Sequence, residues 1–201
     1  MRYGMVVDLE RCAGCQACTV ACKEENATAP GIFWNRVYDA EGGVYPNVRR
    51  VFLPRPCMHC ENASCLEVCP TGATYRAQGG IVLVDQDKCI GCKACMLACP
   101  YNARSFYGEE GSYFKKGTYP ELHEPHQIHQ VGVVEKCTYC SHRVDEGLEP
   151  ACVIACPTNA RHFGDLDDIN SEVSKLIRDK YAFQLFPELG TNPSTWYLSR
   201  R

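Results

Sequence analysis

The run CAGCQACTVAC, Cys12–Cys22, returns seventy-seven residues later as CIGCKACMLAC, Cys89–Cys99. Both read C-x-G-C-x-A-C-x-x-A-C, but the first continues into Lys23 and the second into Pro100. Eight further cysteines form two looser runs. CMHCENASCLEVCPTGA holds Cys57, Cys60, Cys65 and Cys69 with four residues in its middle gap, and CTYCSHRVDEGLEPACVIACPTNA holds Cys137, Cys140, Cys152 and Cys156 with eleven. Both close on C-P-T-x-A, so the order is A-B-A-B, a tandem duplication of a two-motif unit. All sixteen cysteines are used, four to each set.

Sixteen cysteines in 201 residues admit disulfides, zinc or iron–sulfur clusters. Disulfides suit small secreted chains, whereas MRYGMVVDLERC has no apolar signal core ahead of the first cysteine. Closely spaced triplets would also leave neighbouring thiols competing for partners. Zinc usually takes two separate Cys-x-x-Cys knuckles, which leaves no place for the third cysteine of each run. Sets one and three instead have the C-x2-C-x2-C-x3-C spacing of [4Fe–4S] ferredoxins. Two-residue spacers let a loop wrap one cluster with three thiolates, while the fourth cysteine points away toward a neighbouring cluster.

The remaining composition excludes other classes. With 21 basic and 24 acidic residues the formal charge is −3, and no Lys/Arg block exceeds two residues, so no nucleic-acid surface is indicated. No apolar run approaches the roughly 18 residues of a membrane helix. Neither a nucleophile–base constellation nor a nucleotide-binding loop is present, so the chain is expected to be non-catalytic.

Each set follows a β-branched-rich segment: YGMVVD, RRVFLP, GIVLVD and VGVVEK. Brief helices are expected after each fourth cysteine. Nineteen residues, 70–88, link sets two and three, against thirty-four (23–56) and thirty-seven (100–136) for the other links. The short link points to an inner unit of sets two and three, nested in an outer unit of sets one and four. Exchange of fourth cysteines then groups Cys12, Cys15, Cys18 and Cys156; Cys22, Cys137, Cys140 and Cys152; Cys57, Cys60, Cys65 and Cys99; and Cys69, Cys89, Cys92 and Cys95. The expected fold is α+β, two nested bacterial-ferredoxin-like units with four [4Fe–4S] clusters. Residues 1–30 and 131–164 form the outer unit, 51–106 the inner, and 31–50 and 107–130 loop insertions. Residues 165–201 form a C-terminal helix and an extended strap.

The whole chain resembles the iron–sulfur electron-transfer subunits of DMSO-reductase-type molybdopterin oxidoreductases, in the polysulfide, thiosulfate, tetrathionate and arsenate reductase branch. The resemblance rests on the four motifs in order, KCTYCSHR from Lys136, PACVIACPTNARHFGDLDD and the tail LFPELGTNPSTWYL. It implies a catalytic partner with a molybdenum or tungsten pterin cofactor, and a membrane quinol-linked subunit or c-type cytochrome at the other end. It also implies pairing of motif one with four and of two with three. The resemblance further implies export, if any, together with a signal-bearing partner. A free-standing polyferredoxin in the cytoplasm and a zinc-bound scaffold are the competing readings.

Several other residues draw two readings each. Lys23 stands where the other sets have Pro70, Pro100 and Pro157, either because motif one needs no helix stop or because a cation there raises a cluster potential. His59 and His142 are expected to pack or hydrogen-bond rather than ligate, and His123, His126 and His129 to lie in a solvated or docking loop. The aromatic-rich stretches 31–55 and 107–130 suit partner contact or cover for the clusters. An amphipathic helix is expected over 170–181, with Val173, Leu176, Ile177 and Tyr181 on one face and Asn170 or Ser171 as cap.

Overall fold

The computed structural model describes residues 1–111, 113 and 129–199. Every cysteine set is entered from a strand. β1 (Tyr3–Asp8) leads into the first set, which carries α1 (Ala17–Glu25). A hairpin of β2 (Arg36–Val44) and β3 (Asn47–Arg55) leads into the second, with α2 (Ser64–Glu67). β4 (Thr74–Arg76) and β5 (Val82–Val84) connect to the third, with α3 (Ala94–Leu97). β6 (Ser105–Tyr107) and β7 (Val133–Glu135) precede the fourth, with α4 (Ser141–Asp145) and α5 (Ala151–Ile154). β8 (Arg161–Asp165), α6 (Glu172–Asp179) and β9 (Thr195–Leu198) follow.

The helices correct the expectation that they follow the fourth cysteine. Cys18, Cys65, Cys95 and Cys152, the third of each set, lie inside α1, α2, α3 and α5. In three sets the helix ends before the fourth cysteine, and the proline behind it has no N–H to continue the ladder. Lys23 removes that stop, and α1 runs through Cys22 to Glu25.

Strand pairing ties the sets together. β1 pairs antiparallel with β8 (Val6 opposite His162), joining the start of set one to the end of set four. β4 and β5 join sets two and three (Thr74 opposite Val84), and β6 and β7 join three and four (Phe106 opposite Val134). One apolar core collects Met5, Cys18, Cys57, Tyr101, Tyr139 and Cys152, drawing on all four sets.

The tail is not a surface strap. β9 lies parallel to β1 (Val6 opposite Trp196), and Ser194, Thr195, Tyr197 and Leu198 are buried. Ser194 donates its N–H to Met58 O at 2.8 Å and its hydroxyl to His59 O at 2.9 Å. Carbonyls in a buried cysteine loop need such donors, so the tail completes the second set rather than covering it. α6 is capped by Ser171, whose hydroxyl accepts from Ser174 N at 3.2 Å. Val173, Leu176 and Ile177 pack against Val6 and Leu198, while Tyr181, past the helix end with φ 52°, faces solvent. Val173 is fully buried. Its truncation in V173A is expected to cost about 2 kcal/mol, read by denaturant unfolding.

Candidate metal centres

The C-x-G-C loops curl because their spacers adopt left-handed backbone. Gly14 and Gln16 have φ of 67° and 64°, and the matched Gly91 and Lys93 have 67° and 62°. A Cβ at Gly14 would stand 2.4 Å from the Phe52 ring, and at Gly91 2.1 Å from Gly132 O, so glycine is required on both counts. His59 and Tyr139 bend the second and fourth sets in the same way, at 43° and 54°. Behind the prolines, Gly72, Asn102 and Asn159 turn left-handed again. That turn brings Thr74 N to 3.4 Å from Cys69 Sγ and Ala160 N to 3.2 Å from Cys156 Sγ.

Curled this way, the loops enclose four cavities that share out the sixteen thiols. Cys12, Cys15, Cys18 and Cys156 line one, and Cys22, Cys137, Cys140 and Cys152 another. Cys57, Cys60, Cys65 and Cys99 line the third, and Cys69, Cys89, Cys92 and Cys95 the fourth. The four are similar in size, and each is ringed by four cysteines. Among the described residues no three Cys, His, Asp or Glu side chains converge tightly enough to grip a single metal ion. Thiols ringing a cavity suit a larger polynuclear group.

Electrostatics point the same way. Burial, reinforced by neighbouring thiols, pushes Cys60, Cys137 and Cys140 up to about 12, and Cys22 well above its usual value. Such thiols ionise when metal coordination removes the proton. At Cys69 burial opposes ionisation, but N–H and hydroxyl donors from Thr74, Thr71 and Ala73 bring it down to about 7. Arg104, Lys136 and Arg161 are buried, and none pairs with a carboxylate among the described residues. Arg104 Nη2 donates to Cys65 Sγ at 3.0 Å and Arg161 Nη1 to Cys152 Sγ at 3.5 Å. A buried cation is costly unless negative charge lies beside it. Anionic thiolate clusters supply that charge, so these residues fit iron–sulfur groups. The two arginines were missed in the sequence, although CPYNAR and CPTNAR repeat the signal.

Neighbouring cavities share charged residues and thiols. Arg104 is within electrostatic reach of Cys65 and Cys95, and Arg161 of Cys152 and Cys18. Cys57 and Cys137 act on each other where the His59 ring stacks on Tyr139, centroids 3.7 Å apart. Cys15 and Cys92 are exposed.

His59 packs as expected, with Nδ1 accepting from Val82 N at 3.1 Å. His142 Nε2 meets Glu25 Oε1 at 2.6 Å and Arg143 Nη1 meets Glu25 Oε2 at 3.1 Å, clamping α4 to α1. Lys23 Nζ is held by Thr28 O, Thr28 Oγ1, Ala29 O and Ile32 O at 2.7–3.2 Å, bracing the loop after α1. His123 and His126 lie outside the described residues. His129 is not solvated: Nδ1 bonds Glu135 and Nε2 contacts Asn26 O at 2.7 Å. Trp34 Nε1 donates to the same buried Glu135 at 3.3 Å.

These loops and cavities define a 4Fe-4S ferredoxin-type protein, and comparison agrees. A 4Fe-4S dicluster domain matches residues 48–119 and 120–166, and a 4Fe-4S binding domain matches 9–28. The chain is 49% identical to the putative iron–sulfur subunit of dimethyl sulfoxide reductase from Halobacterium salinarum, across 98% of its own length and 79% of the relative's. It is 41% identical to the iron–sulfur subunit of the arsenate respiratory reductase from Shewanella sp., across 98% and 96% of the two chains. It is 42% identical to a subunit of the sulfite dehydrogenase from Allochromatium vinosum, across 100% and 84%. The chain belongs to this family, the iron–sulfur electron-transfer subunits of DMSO-reductase-type oxidoreductases.

Burial opposes the charged form of His129, but the hydrogen bond and charge of Glu135 outweigh it and raise the pKa. A raised folded pKa contributes stability that is full below the unfolded value of about 6.5 and is lost as pH rises through the folded one. The melting temperature is therefore expected to fall as pH is taken upward from about 6.5, and H129Q to flatten that slope.

Proposed function

We propose that each cavity holds one [4Fe–4S] cluster on the four thiols that line it, and that the chain relays electrons through all four. The ligand sets are Cys12, Cys15, Cys18, Cys156; Cys22, Cys137, Cys140, Cys152; Cys57, Cys60, Cys65, Cys99; and Cys69, Cys89, Cys92, Cys95. What carries this reading is the ring of four thiols around each cavity, beside buried cations with no carboxylate partner among the described residues. A [4Fe–4S] cluster supplies one-electron transfer when bound. The chain's own part is to hold the thiolates, keep water from the interior pair and leave each end reachable.

The run of shared neighbours supports one order along the relay. It begins at the Cys89 loop, passes Arg104 to the Cys57 loop and crosses beside His59 and Tyr139 to the Cys137 loop. Arg161 then leads to the Cys12 loop. Exposed Cys92 and Cys15 mark the two ends.

A relay needs a donor and an acceptor. The partners we propose are a catalytic subunit with a molybdenum or tungsten pterin cofactor and a membrane quinol-linked subunit or cytochrome. Export with the catalytic subunit would place the complex on the outer face of a bacterial inner membrane. No helix among the described residues is long and apolar enough to cross a membrane, and the anchor in this proposal is a separate subunit. Relatives include both a reductase subunit and a dehydrogenase subunit, as suits a relay usable in either direction. Apolar side chains stand exposed at the hairpin tip (Val44, 81%; Tyr45, 88%) and on the third set (Leu97, 90%). A free carrier gains nothing from them, whereas docked subunits would cover them.

Anaerobic purification is expected to give about sixteen iron atoms per chain with matching sulfide. A colourless, zinc-rich protein would refute the cluster reading. Isolation from native cells is expected to bring down a large molybdenum- or tungsten-containing subunit, and a partnerless monomer active in solution would favour the free polyferredoxin.

A further inference from the structure

Two arginines stand at the same distance behind the third and fourth cysteine sets. Arg104 ends CPYNAR and Arg161 ends CPTNAR, each five residues past the fourth cysteine of its set. Both are buried, at 4% and 3% exposure, so their charge acts through protein rather than water. Second partners aim the guanidinium groups. Arg104 Nη1 donates to Thr74 Oγ1 at 3.1 Å, and Arg161 Nη2 to Asn35 Oδ1 at 2.8 Å.

Each arginine lies between the two cavities of one unit, Arg104 lining that of Cys57, Cys60, Cys65 and Cys99 and Arg161 that of Cys12, Cys15, Cys18 and Cys156. Arg104 reaches Cys65, on the cavity of Cys57, Cys60 and Cys99, at 3.0 Å. Arg161 reaches Cys152, on the cavity of Cys22, Cys137 and Cys140, at 3.5 Å, with Met5 Sδ at 3.4 Å. These two cavities adjoin at Cys57 and Cys137. The exposed Cys15 and Cys92 belong to the other two. Arg104 therefore leans toward the middle of the relay, while Arg161 bridges the end cavity that it lines and the interior thiol to which it donates.

A cation and an N–H donor at a ligand sulfur stabilise the more negative, reduced state of a cluster and raise its potential. We infer that Arg104 and Arg161 are redox-tuning residues, Arg104 raising the potential of the interior cluster whose cavity it lines and Arg161 raising the potentials of the two clusters it lies between. The two arginines then shape the profile of a relay whose length the duplication sets. This inference rests on the four-cluster reading, and its test separates the two.

R104M and R161M are made as holoprotein, iron and sulfide are counted, and each cluster's midpoint is followed by EPR during a redox titration. Each variant is expected to keep its iron, R104M lowering one midpoint and R161M two, by about 59 mV for a tenfold change in a one-electron equilibrium. The affected clusters should differ between the two variants, and R104K and R161K, which keep a cation, should recover most of the loss. Full iron with unchanged midpoints, or an equal fall in all four, overturns the inference and leaves the four-cluster reading standing. Wild-type protein short of four clusters overturns both. Should a methionine variant lose iron, R104Q or R161Q keeps N–H donors without the charge and carries the same measurement. Iron loss there too would assign the arginines to assembly and overturn the tuning role.

Discussion

Charge balance in a crowded interior governs this fold. Thiols such as Cys22, Cys137 and Cys152 sit fully inside the protein, where burial suppresses ionisation, and Arg104, Lys136 and Arg161 are buried near them with no carboxylate partner among the described residues. Apart from anionic groups in the cavities, that arrangement strands three positive charges in low dielectric. With them, each cation gains a partner and each N–H aimed at a sulfur gains an anionic acceptor. Short strands and four-residue helices are adequate here because the groups between them are expected to do much of the binding together.

The duplication did not produce two independent units. β6 and β7 pair the end of the third set with the approach to the fourth, and one core draws on all four sets. β9 adds a buried strand beside β1, and the residues before it supply donors to carbonyls of the second set. A rigid joint matters to a relay, because electron transfer between adjacent groups depends on a fixed separation. The stack of His59 on Tyr139 lies at that joint, formed by equivalent positions of the second and fourth Cys-x-x-Cys loops.

Differences between the four sets follow from single residues. Proline behind the fourth cysteine ends three helices, while Lys23 lets α1 extend and then holds the loop from Thr28 to Ile32 by its carbonyls. That extension places Glu25 against His142 and Arg143 and Asn26 against His129, so the first set is clamped to the fourth by polar contacts. A position read in the sequence as a possible redox cation acts locally as a brace.

Spacing alone made the cysteine sets, the strands before them, the 4Fe-4S class and the α6 cap region legible, because curled loops and periodic faces are local consequences of local residues. The fourth cysteine of each set, in or just past a helix, lines a cavity with three thiols of another set. Burial of the tail, pairing of His129 with Glu135 and the inward turn of Arg104 and Arg161 were decided by tertiary structure. Each depends on residues far apart in the chain meeting across a packed core, and a side chain's charge carries no mark of whether water or sulfur will surround it.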